Sequence, residues 1–359
     1  MKKHLLLLTF LSVIGNAQIV RKYSNEFLNI GAGARGLAMG GAVISNQNDV
    51  YAPMWNPAGL TEVESDWQGA AMHAEYFESI AKYDYISFAK ALDSKNGVLG
   101  ISIVRLGIDN ILNTTQMIDS EGNIDYDKIT KFSTSDYAGI ISYAFHPGGK
   151  QKLSVGVNAK IVYRNIGKFA NGFGFGFDLG AIYKTDSGYQ LGAMLRDATT
   201  TVNFWTINQK ELSAVVNGEE FNPAPKDKME ITMPKLNMGI SKNFELNRDL
   251  EFLPEAGVNV DFAKTAALIS TDFASITPYL GAELSFQKMI FVRAGVNKFQ
   301  NVTDIEDLKR KVTFQPSAGI GVRYRGLTLD YAITSTGIGG SNYFSNFFSL
   351  KLDMGDFRN

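Results

Sequence analysis

Cysteine is absent from this sequence and histidine nearly so, with three in 359 residues. Without cysteine there is no disulfide framework. A secreted domain of this size would have to hold itself together by its own core, whereas a barrel closed by backbone hydrogen bonds needs no cross-link. Lipid anchoring through an N-terminal cysteine is excluded for the same reason. Beyond the first residues only His73 and His146 remain, on separate segments, so neither a metal cluster nor any other cofactor is expected. No G-x-S-x-G elbow occurs, and His73 reads as an interfacial or plug-packing side chain rather than half of a catalytic pair. The expectation is a chain that is not an enzyme. Neither sign of charge dominates: the net charge is −1, which offers nucleic acid no basic footprint.

Long apolar runs are also missing after the start of the chain. Lys2 and Lys3, the run Leu5 to Ile14 and the small residues Gly15-Asn16-Ala17 have the form of a secretory leader cleaved before Gln18. That run is too short to cross a bilayer as a helix. The remainder, at 45% hydrophobic residues overall, is either a secreted soluble β protein or a membrane barrel whose apolar residues alternate with polar ones.

What the sequence has in abundance is a period of two. Leu153, Val155, Val157, Ala159, Ile161 and Tyr163 alternate with Ser154, Gly156, Asn158, Lys160, Val162 and Arg164. Phe173, Phe175, Phe177 and Leu179 alternate with Gly174, Gly176, Asp178 and Gly180. Successive strand residues point to opposite faces, so each segment has one greasy face and one polar or empty one. Similar segments recur from about Trp67 to Met354 and give about fourteen strands, several near the ten residues that a tilted strand needs to span a bilayer. Soluble sandwich strands are shorter. The connections alternate between short (His146–Gln151, Lys184–Gly188, Arg325-Gly326) and long (Asn110–Phe132, Thr199–Ile231, Lys264–Ser275, Gln300–Arg310), as periplasmic turns and extracellular loops do. An even count puts both termini in the periplasm. Tyr and Phe cluster at segment ends, where interfacial girdles lie.

The expected fold is therefore an all-β transmembrane antiparallel barrel in residues 67–359, in contact with outer-membrane lipids. It follows a leader at 1–17 and a non-alternating N-terminal hatch at 18–66. Alternation turns Lys160, Arg164, Asp178, Arg196, Asp261, Glu283, Arg293, Asp330 and Lys351 towards the lumen. These charges form either a salt-bridged interior that holds the hatch or a polar conduction path. The loop Thr199–Ile231 carries Phe204, Trp205, Ile207, Leu212 and Phe221. It is either a partner-binding surface or a cover folded over the barrel mouth.

The hatch contains Gly31-Ala32-Gly33-Ala34-Arg35-Gly36 and Trp55-Asn56-Pro57-Ala58-Gly59-Leu60. The first spells G-x-G-x-x-G but lacks the flanking strand and helix of a nucleotide site. Its glycines are expected to let the hatch run close to the strands, and Asn56 to Gly59 to form a tight turn with Gly59 at positive φ. Phe27 to Ile30, Arg35 to Gly41 and Trp55 to Leu60 together resemble the N-terminal signature of the PorV/PorQ family, which is similar to FadL-type channels. The resemblance covers about residues 25 to 60 and departs from PorV at Gly59, as a paralogue would. It implies a fourteen-stranded barrel with a hatch, in the outer membrane of a Gram-negative bacterium of the Bacteroidota. It also implies a non-enzymatic accessory role in type IX protein secretion and gliding motility, with a large translocon barrel or another secretion subunit as partner. The Asn-Pro-Ala-Gly-Leu form, shared with many FadL-like hatches, keeps open the alternative of a channel for small hydrophobic molecules.

Overall fold

The computed structural model describes residues 24–63, 65–92, 97–216, 219–223, 225, 228–303, 309–338 and 341–355. The expected leader lies outside the described residues. Fourteen strands make a closed wall: β1 (Trp67–Tyr76), β2 (Ala81–Ala91), β3 (Val98–Asn113), β4 (Thr130–Phe145), β5 (Leu153–Ile166), β6 (Ala170–Lys184), β7 (Tyr189–Arg196), β8 (Lys235–Lys242), β9 (Leu250–Asp261), β10 (Ser275–Phe286), β11 (Ile290–Thr303), β12 (Arg310–Tyr324), β13 (Leu327–Ile338) and β14 (Ser341–Asp353). Neighbours in this order pair antiparallel. The ring closes between β1 and β14, from Gln68 opposite Asp353 to Glu75 opposite Asn346.

The two faces of the wall are inverted relative to a water-soluble barrel. On β5, Ile161 is 63% exposed while Asn158 and Lys160 are buried. On β6, Phe175 is 54% exposed while Asp178 is buried. Apolar side chains left outside and charges enclosed make sense only if the surrounding solvent is hydrocarbon. Aromatic rings stack along the wall, with Tyr143 on Phe145 at the end of β4, while the Tyr137 and Tyr163 pair lies within β4 and β5 rather than at the strand end expected for Tyr137.

One rim of the ring carries connections of a few residues, such as 146–152, 185–188, 287–289 and 325–326, and there the wall begins at Trp67 and ends at Asp353. The opposite rim carries the longer connections 114–129 and 262–274 and the one that runs from Ile207 to Met229. The alternation of short and long is incomplete, because Phe77–Ile80 and Gly167–Phe169 on the long-loop rim are only four and three residues long. The expected loop Thr199–Ile231 is also shorter than the spacing suggested. Thr201–Ile207 and Met229–Thr232 are strands that continue β7 and β8 upward, pairing with β6 and with each other. Each continuation follows a break. After β7 the break is Asp197–Thr200, with Asp197 and Thr200 at φ 53° and 60°. In the eighth wall strand it is Met233-Pro234, where proline has no N–H for the ladder.

The outward position of Phe175, nine residues above the short-turn rim, gives a direct test. Phe175→Arg should lower the unfolding free energy in lipid by roughly 2–4 kcal/mol, whereas Phe175→Leu should cost far less. Equal stabilities of the wild type and the arginine variant would reject the assignment of faces.

Candidate functional site: the plugged lumen

Residues 24–63 lie inside the ring as short helical pieces, Glu26–Asn29, Ala34–Ala38, Ala52–Trp55 and Pro57–Glu62, joined by tight turns. Trp55 is their centre. Its indole nitrogen donates to the Ala32 carbonyl at 2.6 Å, and its ring covers Gly31 and Gly36, where a Cβ would stand 2.3 and 2.8 Å from it. Gly33, at φ 86°, faces the Tyr51 ring in the same way. The glycine run thus lets this inner segment pack on itself, not on the strands as its sequence suggested. Close approach to the wall falls elsewhere. A Cβ on Gly156, Gly192 or Gly295 would strike the backbone of Pro57, Ile44 or Met39.

Asn56 is extended, at φ −155° and ψ 106°, as a residue before proline should be. Its side chain accepts from the Ala58 amide at 3.2 Å and donates to the Ile44 carbonyl at 2.8 Å and to Ala181 of β6 at 3.1 Å. Pro57 opens a 3-10 turn. Gly59 does not adopt positive φ. It is glycine because a Cβ would fall 2.0 Å from the Gln47 carbonyl oxygen.

Backbone this irregular leaves many donors and acceptors outside any ladder, and the wall supplies their partners. Glu255 of β9 accepts from the amides of Ile44 and Ser45 at 2.7 and 3.1 Å, from Asn46 Nδ2 at 2.8 Å and from the Ser45 hydroxyl. Arg196 of β7 donates to the carbonyls of Leu28 and Met54 at 2.8 and 2.6 Å. Asn297 and Ser317 donate to Gly40 and Ala38, each at 2.8 Å, and Ser349 accepts from the Ala34 amide at 3.0 Å. Ser24, the first described residue, sits inside the ring, its hydroxyl accepting from Asn203 at 2.6 Å.

Between this segment and the short-turn rim lies a cavity of 660 Å³ lined mostly by polar and charged groups, among them Arg35, Asp49, Glu283, Arg293, Asp330 and Lys351. Arg35 and Arg293 share Glu283, at 3.0 and 2.5 Å, and Arg293 reaches Asp330 at 2.6 Å. Lys351 stands 3.5 Å from Asp49. Gln47, also in the lining, is buried with its Oε1 lacking a partner.

The inner face is unequal around the ring. On β1–β3 and the upper part of β14 it is uncharged and largely apolar, with Met72, Ala74, Tyr83, Val104 and Phe347 buried, as is Ala138 on β4. The charges stand on β4 (Asp136), on β5–β13 and at the rim end of β14 (Lys351, Asp353). Solved structures share this combination of closed wall and size. The toluene transporter TbuX of Ralstonia pickettii matches with a TM-score of 0.56 at 14% identity, over 90% of this chain and 98% of that one. The CymD monoaromatic hydrocarbon channel matches with a TM-score of 0.58 at 13% identity, over 90% and 97%. A Pseudomonas aeruginosa FadL homologue matches with a TM-score of 0.51 at 11% identity, over 90% and 98%. The fold is FadL-like. No protein-family model and no curated protein matches the sequence.

All nine charges that alternation turned inward lie on the inner face of this FadL-like barrel, in four groups. Lys160 sits between Asp178 and Asp197, at 2.7 and 2.6 Å, with all three buried, and Arg196 is adjacent in sequence. Arg164 makes a two-point pair with Asp136 at 3.0 Å and lies over the Trp205 ring. Asp261 meets Lys235 at 3.3 Å. Glu283, Arg293 and Asp330 belong to the cavity network, and Lys351 is close by. The loop candidates do not form one surface. Phe204 faces outward from the wall, Trp205 packs inside over Gly172, and Ile207 ends the same strand. Leu212 ends a four-residue helix, and Phe221 lies in a short hairpin strand opposite Ala214. His73 faces outward on β1 and touches no part of the inner segment.

Sequence reasoning missed Glu255, Asp197 and Asp49. Glu255 was visible as the start of the inward series Glu255, Gly257, Asn259, Asp261. Two measurements test the anchoring. Gly295→Ala, which forces a Cβ onto the Met39 backbone, should destabilise the barrel to unfolding in detergent, while Gly69→Ala, with nothing within 4 Å, should not. Glu255→Ala strands the Ile44 and Ser45 amides without acceptors, at ~1–3 kcal/mol for each buried donor, and should speed protease cleavage at residues 44–46. An uncleaved, equally stable Glu255→Ala barrel would reject the latch.

Proposed function

We propose that this chain is a plugged channel of the outer membrane of a Gram-negative bacterium, admitting small hydrophobic molecules past a movable N-terminal segment. The carrying observation is the uncharged, largely apolar inner face of β1–β3 and the upper part of β14. A water-filled pore is polar all round, whereas here one side of the lumen offers Ala74, Tyr83, Val104 and Phe347 from the inner segment upward. A molecule with little polarity can follow that side without desolvating a charge. On the charged side Glu255 and Arg196 hold the segment through its backbone. The cavity is then an exit vestibule, with the short-turn rim, and so both ends of the wall, in the periplasm. Kinship of fold with a toluene transporter and a monoaromatic hydrocarbon channel supports this substrate class. The accessory role in type IX secretion implied by the PorV/PorQ resemblance draws no support from the comparisons, and the channel reading takes its place.

The absence of native cysteine permits a clean test. Ser45 Oγ lies 2.8 Å from Ser241 Oγ on β8, so Ser45→Cys with Ser241→Cys can tie the inner segment to the wall reversibly. Cells bearing the oxidised double variant should accumulate a radiolabelled monoaromatic hydrocarbon more slowly than the same cells after reduction, with wild type unaffected by either treatment. Identical uptake in oxidised, reduced and barrel-free cells would reject the channel.

A further inference from the structure

The outer wall breaks its own rule in one sector. All strands of a barrel share a tilt, so counting residues upward from the short-turn rim measures depth in the membrane. Six or seven residues up, the outward side chain is Ala159 on β5, Phe177 on β6, Ala256 on β9, Leu280 on β10, Ala318 on β12 and Ile333 on β13. At the same depth, β1 presents His73, β2 presents Asp84, β3 presents Arg105 and β14 presents Asn346. Glu75 and Lys82 follow one step higher. At ~3.3 Å per residue and a tilt near 40°, this is roughly 15 Å above the rim, well inside an apolar band about 25 Å tall.

These side chains are paired among themselves but not withdrawn. His73 Nδ1 lies 2.7 Å and Arg105 Nη1 3.0 Å from the two oxygens of Asp84, and the three side chains remain 49%, 33% and 37% exposed respectively. Exposed ionisable groups at this depth are costly against acyl chains. Directly below His73, β1 presents Ala71 and Gly69 outward, and a Cβ on Gly69 would meet nothing within 4 Å, while Ile86, Ile103 and Phe348 flank the trio and are exposed.

We propose that this sector, β14 to β3, is the dimer interface of the barrel, covered by a second copy of this chain. The order of charges carries the choice of occupant. Seven to nine residues above the rim the outward signs run negative on β1 (Glu75), mixed on β2 (Asp84, Lys82) and positive on β3 (Arg105), and Asp109, four residues above Arg105, is paired with Lys82 of its own chain at 3.6 Å. In a membrane, two copies facing each other in the same orientation are related by a two-fold axis along the bilayer normal. An axis beside β2 sets β1 of each copy against β3 of the other. Glu75, eight residues above the rim, then meets Arg105 of the second copy, seven residues above it, and the contact is made twice. Asp84 is shielded on the axis by the His73 and Arg105 of its own chain.

The test uses the full-length barrel in native-like lipid, again exploiting the absence of cysteine. Two differently tagged chains, one Glu75→Cys and one Arg105→Cys, are co-expressed and oxidised. Within one chain these positions are two strands apart, ~9.5 Å, too far for a disulfide, so any covalent product is between copies. The mixed pair should give covalent dimer and each variant alone should not. The triple variant His73→Leu, Asp84→Leu, Arg105→Leu should keep the barrel folded and lose the dimer mass of the wild type in lipid nanodiscs. A monomeric wild type with no mixed cross-link would overturn the proposal, whether the sector is then found covered by a different membrane protein or by lipid. So would a triple variant that stays dimeric.

Discussion

Backbone amides and carbonyls cannot be left unpaired in hydrocarbon, where each costs several kcal/mol, and the pairing of β1 with β14 is what leaves the wall without an edge. Much of the rest follows from that closed ladder. Once the ring is complete, residues can face only lipid or lumen, so the lipid face takes Phe175, Ile161 and their like and the lumen inherits the charges. Those charges are enclosed and must find partners, which explains why Lys160 sits between two aspartates and why Arg35 and Arg293 share Glu283. The inner segment solves the same problem from the other side. Its short helices expose backbone groups at every end, and only a lumen lined with Glu255, Arg196, Asn297 and Ser317 can satisfy them at membrane depth.

The interior divides its labour by sector. Where Glu255, Arg196, Asn297 and Ser317 hold the segment's main chain, the contacts are directional, and Glu255 also takes the Ser45 and Asn46 side chains. On β1, β2 and β14 the apolar contacts of Tyr83 and Phe347 stand beside directional ones, with Met72 Sδ accepting from the Gly33 amide at 3.0 Å and the Val50 carbonyl accepting from the Tyr85 and Ser87 hydroxyls at 3.3 and 3.0 Å. The outer wall of β1–β3 departs from uniformity in the opposite sense, with polarity where its surroundings should be apolar.

How much of this could be read from the sequence depended on phase. In β5 and β6 the period of two runs unbroken for more than ten residues, and both strands and their faces are plain. The strand Thr201–Ile207 was taken for loop because the break at Asp197–Thr200 flips the phase: inward residues are even-numbered before it (Gly192, Met194, Arg196) and odd-numbered after it (Thr201, Asn203, Trp205). The same inversion occurs at Met233-Pro234. Glu255 escaped notice because Pro254 beside it argues against a strand, although Pro254 sits on the outward face of β9. The inner segment has no period at all. Its glycines announced close packing, but whether Gly31 meets a strand or the Trp55 ring is decided by tertiary contacts that no local pattern encodes. The outward trio His73, Asp84 and Arg105 required the pairing register, since the three residues lie on different strands.

Tyr51 joins the two halves of the structure in one atom. Its hydroxyl lies 3.0 Å from the carbonyl of Ala71 on β1 and 3.0 Å from that of Leu350 on β14, so it straddles the seam at which the ring closes. Val50 and Ala34 bond to Gln68 and Ser349 on the same two strands. Parting the seam at this height therefore breaks contacts of the inner segment along with those of the ladder, and seating the segment reinforces the first strand against the last. Assembly and occupancy are thermodynamically linked: the part of the chain that blocks the passage is also a clasp on the cylinder around it.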